Sequence, residues 1–306
     1  MSALSVHVDD YLRLRRALGF KLVREGMVLP QFVDYLQAAG STTVTTTLAI
    51  AWAQLTQNVD GMQRAHRLSA VRGFARYMSL SDANTQIPPS GVFGVKQSRP
   101  TPYLWSETDI ARLLNAASTL QSPFRAATYE NFLGLLAVSG LRSGEAMDLQ
   151  AGGVDLDTEV ITVSQAKFGR ARLIPLHPST TAQLRSYAEH RNEQHPRPQS
   201  TTFFISDAGT SLRRSNLRPT FRKLVDDLGL GSDDVHPRMH DLRHSFAVRT
   251  LINWHRAGHD IEARIPALVS YLGHVDPSST YWYLSASPEL MGLAAARLDE
   301  RFGGRS

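Results

Sequence analysis

Residues 83–104 break the hydrophobic pattern of the chain and divide it into two parts. The stretch contains Ile-Pro-Pro-Ser-Gly and Arg-Pro-Thr-Pro, and it has neither helical nor strand periodicity. Because proline removes a backbone donor and glycine favours turns, this composition is typical of an interdomain linker. A chain of 306 residues has room for about two domains of ~150 residues each. The sequence therefore predicts a first domain over residues 1–82 and a second that begins at residue 105.

Apolar residues recur at helical spacing through the first domain. The pattern predicts helices over 11–18 and 29–38, and its clearest helix spans 62–78. An apolar stripe on that helix is flanked by four arginines, Arg64, Arg67, Arg72 and Arg76. Residues 1–100 contain eleven Lys/Arg and six Asp/Glu, whereas the rest of the chain is balanced. We expect the four arginines to bind DNA phosphates; the alternative is a solvated helix face.

The second domain is predicted to be mainly helical, with one small antiparallel β-sheet. Ser106 is a helix N-cap, and Asp109 stands three residues later, as in a capping box. Residues 160–163 and 172–176 have strand character and flank a turn at Gly169, which predicts a hairpin. Residues 203–206 are a candidate third strand. The predicted fold class is thus mainly α with a small antiparallel sheet.

Composition excludes several kinds of chemistry. The chain has no cysteine, so it has no disulfide, thiolate nucleophile or cysteine-based zinc site. Its acidic pairs, Asp9-Asp10 and Asp233-Asp234, are isolated, which argues against a metal nuclease, and we expect neither metal nor cofactor. The N-terminus lacks the pattern of a signal peptide, and no apolar run approaches the ~20 residues that span a bilayer. These features predict a cytoplasmic, nucleoid-associated protein with no membrane partner.

Six residues in the last two thirds of the chain have the chemistry of a phosphoryl-transfer site. They are Arg142, Lys167, His240, Arg243, His274 and Tyr283. Guanidinium groups grip phosphate with two hydrogen bonds, a lysine can act as a general acid, and a phenol can act as the nucleophile. The set therefore indicates nucleophilic phosphoryl transfer on a nucleic acid.

Local spacing supports three of these six residues and restricts the choice of the tyrosine. Glu145 lies three residues after Arg142, close enough on a helix to brace its guanidinium, and His240 and Arg243 share one helix face by the same spacing. Tyr281 and Tyr283 are two residues apart, which on a helix is about 200° of rotation, so only one can face the site. His244 is predicted to be structural, and Asp241 to be a charge at a helix N-terminus.

The predicted hairpin is a second source of positive charge. Lys167 lies at or near its tip, from which it could reach a leaving oxygen. Arg170 and Arg172 follow on the same hairpin and are candidates for phosphate contacts.

Four motifs together resemble the tyrosine recombinase (phage integrase) family. They are Gly-Leu-Arg142-Ser-Gly-Glu145, the hairpin lysine, His240-Asp-Leu-Arg243-His, and Leu-Gly-His274 followed nine residues later by Tyr283. The resemblance extends over residues 105–285, and the first ~80 residues are more loosely similar to the family's helical core-binding domain. It implies a catalytic domain over 105–286 and a tail helix over 287–306. The Ala-Trp52 and Tyr-Trp-Tyr stretches look closest to integrases of transposon-like elements.

The resemblance implies that Tyr283 attacks a DNA phosphodiester. The product would be a 3′-phosphotyrosyl link and a free 5′-hydroxyl, and the nine-residue spacing favours Tyr283 over Tyr281. Arg142 and Arg243 would hold the nonbridging oxygens in the transition state.

The resemblance also implies the proton transfers. His240 would assist removal of the tyrosine proton, Lys167 would protonate the departing 5′-oxygen, and His274 would hydrogen-bond the phosphate. Because the phosphotyrosyl link retains the bond energy, strands could be exchanged without ATP.

The implied partner is double-stranded DNA with inverted half-sites, bound by dimers that assemble into a tetramer. The tail helix would dock on a neighbouring protomer or fold back on its own domain, and accessory recombinase subunits are further candidate partners. Two other functions stay open at this point. One is a type IB topoisomerase, which uses nearly the same residues; the other is a catalytically silent DNA-binding subunit of a mobile element.

Overall fold

A computed structural model describes residues 3–55, 60–94, 101–164, 171–232, 234–273 and 289–292. The described residues up to 94 form one compact unit, and those from 101 onward form another. Each unit has its own core of buried apolar side chains. The boundaries expected at residues 82 and 104 stay a prediction.

The first unit packs its helices around a small apolar core. The described helices are α1 (Ala3–Ala17), α2 (Val23–Ala38), α3 (Thr46–Gln54) and α4 (Gly61–Met78). Phe32, Leu36 and Phe74 are fully buried between them. Three of these helices were expected. The sequence did not predict α3, because the β-branched threonines around its first residues are more typical of strands. Thr45 caps that helix, since its hydroxyl accepts the Leu48 amide at 3.3 Å.

Residues 83–94, the first part of the predicted linker, lie against the first unit. The Gln86 amide donates to the Val44 carbonyl at 2.7 Å, and the Gln86 side chain accepts the Thr46 amide at 2.9 Å. Arg72 of α4 donates to the carbonyls of Pro88 and Pro89 at 2.8 and 2.7 Å. Arg72 therefore supplies hydrogen-bond donors to carbonyls in a proline-rich segment that has no helix or strand to pair them.

The second unit is also mainly helical. Its described helices are α5 (Glu107–Ser118), α6 (Pro123–Ser139), α7 (Ser143–Met147), α8 (Pro178–Gln194), α9 (Arg214–Asp227), α10 (Met239–Arg256) and α11 (Ile261–Leu272). Ser106 caps α5 as expected, with its hydroxyl 3.0 Å from the Asp109 amide. Nearly every turn of α6 is buried, including Phe132 and Leu133, so this helix forms the centre of the unit.

A three-stranded antiparallel sheet flanks these helices, in the order β1 (Val154–Asp155), β2 (Val160–Ser164), β3 (Ala171–Pro175). The pairing of β2 with β3 agrees with the expected hairpin strands, and in its register Val163 faces Arg172. The fold class, mainly α with a small antiparallel sheet, is confirmed. No helix in the described ranges is both long enough and apolar enough to cross a membrane.

The third strand predicted at residues 203–206 is wrong, because β1 is the third strand. Phe203, Phe204 and Ile205 are all buried, so the segment lacks the alternation of a strand with one solvated face. The Phe203 amide donates to the Leu149 carbonyl at 2.7 Å, and Ile205 forms an isolated bridge with Ser211. The apolar run is thus a buried loop.

Candidate active site

Arg243, on the first turns of α10, joins the ends of two other helices. Its side chain is 1% exposed. Nη1 donates to the Gly140 carbonyl beyond the end of α6, and Nη2 to the Leu272 carbonyl at the end of α11, both at 2.7 Å. Gly140 and Gly273 end these helices with left-handed backbone, φ 60° and 65°. Arg243 thus binds carbonyls that lack intrahelical partners, at the negative end of each helix dipole.

Arg142 reaches the same end of α11. It stands at the N-cap of α7, and its Nη2 donates to the Gly273 carbonyl at 2.9 Å. Two of the predicted arginines therefore bind consecutive carbonyls, those of Leu272 and Gly273. Unlike Arg243, the Arg142 side chain is 38% exposed and can meet a ligand from solvent.

Glu145 accepts four hydrogen bonds. Oε1 accepts from Arg142 Nη1 at 2.7 Å and from Arg172 Nη1 at 3.0 Å. Oε2 accepts from Arg172 Nη2 at 2.7 Å and from the Arg142 amide at 2.9 Å. Burial alone would raise the pKa of Glu145, but the hydrogen bonds from Arg172 and Arg142 outweigh it and lower this pKa to about 2. Glu145 is therefore ionised at neutral pH and braces Arg142 as the sequence indicated.

Arg172 lies on the inward face of β3. Strand residues two apart share a face, and Ile174, two positions on, is fully buried. The Arg172 side chain is only 11% exposed and its terminal nitrogens are bonded to Glu145. The alternation of the strand is the sequence signal that this arginine points inward.

His240 lies three residues before Arg243 on α10 and beside the ring of His244, with ring centroids 4.5 Å apart. His240 is exposed at the surface, but the groups packed around its imidazole partly desolvate it. This desolvation lowers the pKa of His240, and the charge of Arg243 lowers it further. The neutral imidazole, which can accept a proton, is therefore favoured at neutral pH.

Two neighbours of His240 support the start of α10. Asp241, expected as a helix charge, is fully buried and accepts from the Arg238 amide at 2.8 Å and from Arg238 Nη2 at 2.7 Å. His244, expected to be structural, is 8% exposed. Of the six predicted catalytic residues, the structure brings together Arg142, His240 and Arg243. The other predicted positions Lys167, Arg170, His274, Tyr281 and Tyr283 lie outside the described residues.

Two residues near this cluster were missed from the sequence. A Cβ at Gly144 of α7 would lie 2.7 Å from Arg214 Nη2, so the guanidinium of Arg214 lies directly against α7. Tyr271 stacks on Phe246 at 5.6 Å, and burial raises the pKa of its hydroxyl to about 12, although Arg172 and Arg243 lower it in part. A phenol held protonated in this way is a poor nucleophile.

In the described ranges no three His, Asp or Glu side chains group closely enough to hold a metal ion.

The four arginines of α4 have different surroundings. Arg67 lies over the Trp52 ring at 3.9 Å and donates to the Trp52 carbonyl at 3.3 Å. Burial, and then the charge of Arg24, lower its pKa. Arg72 holds the segment 83–94, as described above. Arg76 is exposed and Arg64 is half-buried. The assignment of all four to DNA stays a prediction.

Comparisons with known proteins show the family to which this chain belongs. The Phage integrase family pattern matches residues 105–289. Over the full length of both chains, the protein is 43% identical to y4rB of Sinorhizobium fredii, assigned as an integrase/recombinase. It is 29% identical to tyrosine recombinase XerD of Caulobacter vibrioides, over 74% of this chain and 71% of that protein.

Solved structures share the fold at low sequence identity. The Tn1549 transposon integrase, in complex with transposon right end DNA, aligns with a TM-score of 0.64 and 16% identity, over 97% of this chain and 99% of that one. The XerH site-specific recombinase, bound to a palindromic difH substrate, aligns with a TM-score of 0.65 and 18% identity, over 88% of this chain and 77% of that one. The fold is that of a two-domain tyrosine recombinase.

The predicted resemblance is thereby confirmed. This chain belongs to the phage integrase family of tyrosine recombinases.

Proposed function

We propose that this protein is a site-specific DNA recombinase that cleaves and rejoins strands through a 3′-phosphotyrosyl intermediate, without metal or ATP. One observation carries the proposal: Arg142 and Arg243 meet at the consecutive carbonyls of Leu272 and Gly273, directly before His274 in the chain. Two guanidiniums at one helix end create a local positive charge where a phosphate would sit.

The proposed nucleophile is Tyr283. Its phenol oxygen would attack the scissile phosphorus, forming the tyrosyl P–O bond while the bond to the 5′-oxygen breaks. Arg142, Arg243 and His274 would stabilise charge on the nonbridging oxygens, and Lys167 would donate the proton that the 5′-oxygen takes up. Attack by the 5′-hydroxyl of another strand would reverse these steps and release the tyrosine.

His240 is suited to receive the tyrosine proton. An ordinary phenol has a pKa of about 10, so it must lose its proton to a nearby base during attack. The lowered pKa of His240 keeps the imidazole neutral and able to accept that proton.

We further propose that the protein binds inverted half-sites as dimers and recombines as a tetramer, and that it acts on a mobile element in the nucleoid. Support comes from its relatives: the Tn1549 integrase was solved with transposon end DNA, and a lambda integrase was solved as a dimer on a core site. The basic excess of residues 1–100 fits a DNA-binding first unit.

Covalent trapping on DNA tests the proposal. Nicked duplexes from both flanks of the protein's own gene would be incubated with wild type, Tyr283→Phe and Tyr281→Phe. The nick lets the 5′-hydroxyl fragment diffuse away, so cleaved complexes accumulate. We expect a denaturation-resistant protein–DNA adduct with wild type and Tyr281→Phe, and none with Tyr283→Phe.

Each other outcome has a distinct meaning. An adduct lost only in Tyr281→Phe would move the nucleophile by two residues and retain the chemistry. If wild type bound tightly but formed no adduct, the proposed cleavage activity would be wrong, and a catalytically silent DNA-binding subunit would be favoured. Relaxation of supercoiled plasmid without dependence on a specific site would instead favour a type IB topoisomerase.

A further inference from the structure

We propose that Arg172 is a positioning residue of the cleavage site, which acts on Arg142 through Glu145 and does not itself bind DNA phosphate. The inference rests on the proposed function, because it concerns the same reaction. It gives Arg172 a role different from the phosphate contact that its place on a basic hairpin indicates.

The first argument is the geometry of the shared carboxylate. Arg172 binds Glu145 with both terminal nitrogens, at 2.7 and 3.0 Å, in the parallel arrangement that best fits a guanidinium to a carboxylate. This arrangement fixes the plane of the carboxylate. Arg142 Nη1 then binds Oε1 of that plane at 2.7 Å. The orientation of the Arg142 guanidinium therefore depends on Arg172.

The second argument is the gradient of exposure along the chain of contacts. The side chains of Arg172, Glu145 and Arg142 are 11%, 15% and 38% exposed. A phosphate that approaches from solvent meets Arg142, whereas Arg172 lies behind Glu145 on the face of β3 that also carries buried Ile174. Arg172 is thus placed to support the arginine that meets the ligand.

The third argument concerns charge. Glu145 is ionised and lies 2.7 Å from Arg142, so paired with Arg142 alone it would cancel most of the positive charge offered to a phosphate. Arg172 supplies a second positive charge to the same carboxylate. The three groups together carry one net positive charge, and Arg142 keeps its attraction for an anion while Glu145 holds it in place.

The pair also connects two parts of the site. Arg172 is the second residue of β3 and follows Lys167 by five residues in the sequence, and Glu145 lies on α7, which begins next to Arg142. The Arg172–Glu145 bond thus attaches the strand that leads out of the hairpin to the helix that carries the phosphate clamp. Loss of the bond would loosen both parts at once.

The test compares Arg172→Gln and Arg172→Lys with wild type in the full-length chain. The matched control is Arg185→Gln, which removes an exposed arginine whose Nη2 lies 3.1 Å from Asp157. Binding to the nicked flank duplex would be measured over a range of salt concentrations, and single-turnover cleavage at saturating protein. Thermal unfolding without DNA would be followed for Arg172→Gln, Glu145→Gln and the double variant.

We expect Arg172→Gln to bind with the affinity and salt dependence of wild type but to cleave about 10- to 100-fold more slowly, as for a misplaced reacting group. Arg172→Lys should recover only part of the rate, because an ammonium cannot make the two parallel bonds. Arg185→Gln should cleave normally. The melting temperature of the double variant should fall no further than that of Glu145→Gln.

Three results would overturn the inference while leaving the recombinase intact. The first is a fall of about one in the salt-dependence slope of Arg172→Gln, which marks a lost phosphate contact. The second is normal cleavage by Arg172→Gln. The third is additive loss of melting temperature in the double variant, which would mean that the pair does not form. Failure of the proposed function would appear differently, as no adduct from wild type, and it would overturn the positioning role as well.

Discussion

Arg142 and Arg243 differ in what each does for the folded domain. Arg243 is almost fully buried and binds the carbonyls of Gly140 and Leu272, so it joins α10 to the ends of α6 and α11. Arg142 is partly exposed and binds one carbonyl, that of Gly273, besides Glu145. One arginine therefore contributes strongly to the core, whereas the other lies mainly at the surface of the site.

Alanine at each position should separate these roles. Arg243→Ala leaves two buried carbonyls unpaired and should lower the free energy of unfolding by roughly 2–5 kcal/mol, whereas Arg142→Ala should lower it by about 1 kcal/mol. Cleavage should be lost in both, with much of the DNA binding retained by the folded fraction. Denaturant unfolding and adduct formation would be measured side by side. Cleavage by either variant, or wild-type stability of Arg243→Ala, would contradict these roles.

Glu145 should make stability depend on pH. Its pKa is about 2 in the folded protein against 4.5 ordinarily, so its contribution is complete above pH 4.5 and is lost as pH falls through 4.5 toward 2. With allowance for partial exposure, this contribution is on the order of 2 kcal/mol. Denaturant unfolding of wild type and Glu145→Gln at pH 7 and pH 3 would measure it. The gap between the two proteins should shrink at pH 3; a constant gap would show that ionisation of Glu145 is not its source.

At the scale of the element, α4 shows that a basic helix is not uniformly available to DNA. Arg67 stacks on Trp52 and Arg72 binds the carbonyls of Pro88 and Pro89, so both help to hold the first unit together. Arg76 is exposed on the same helix. The periodicity that identifies the helix does not reveal which arginines have partners within the protein.

Arg76→Ala and Arg72→Ala form a matched pair on that helix. Arg76→Ala should weaken DNA binding and reduce its salt-dependence slope by about one, because a phosphate contact is lost. Arg72→Ala should leave the slope unchanged and lower the melting temperature. Salt titrations of binding to one flank duplex, together with thermal unfolding, would check both expectations. A reduced slope for Arg72→Ala with an unchanged slope for Arg76→Ala would contradict this expectation. It would mean that Arg72 leaves the carbonyls of Pro88 and Pro89 and binds a DNA phosphate instead.

The elements that the sequence predicted are those whose signal is local. The strands of the hairpin, the Ser106 cap and the long helix α4 each follow from the residues within them. The buried loop at residues 203–206 was mistaken for a strand because its partners, the Leu149 carbonyl and the Tyr187 hydroxyl, are distant in sequence. The pairing of Arg172 with Glu145 likewise spans 27 residues. Such long-range partners decide burial, and single-sequence patterns do not contain them.

For the whole molecule, the two units have separate cores. Fully buried side chains such as Phe32 and Phe74 belong to the first unit, whereas Phe132 and Phe204 belong to the second. The loss of periodicity at residues 83–104 predicts a linker, and its boundaries at residues 82 and 104 stay a prediction. The sequence does not reveal that residues 83–94 attach to the first unit, because this attachment depends on Arg72 and on a backbone bond to Val44.

Fragments of the first unit test where that domain ends. A fragment of residues 1–94 should fold by itself, since it contains the whole apolar core of the first unit. Its segment 83–94 also provides the hydrogen-bond partners of the Arg72 side chain and of the Val44 carbonyl. A fragment of residues 1–82 lacks those partners and should melt at a lower temperature. Circular dichroism melts of both would measure the difference. Equal melting temperatures would place the functional boundary at residue 82, as the sequence suggested.

The structural role of Arg243 affects how related sequences can be interpreted. Because the fold requires this arginine to join three helices, a copy that has lost all recombination activity but still folds is under pressure to retain it. Its presence in a related sequence therefore reports an intact domain and says little about catalysis. Arg142 can be lost at smaller cost to folding, so the residue at that position is the better marker of whether a related recombinase is still active.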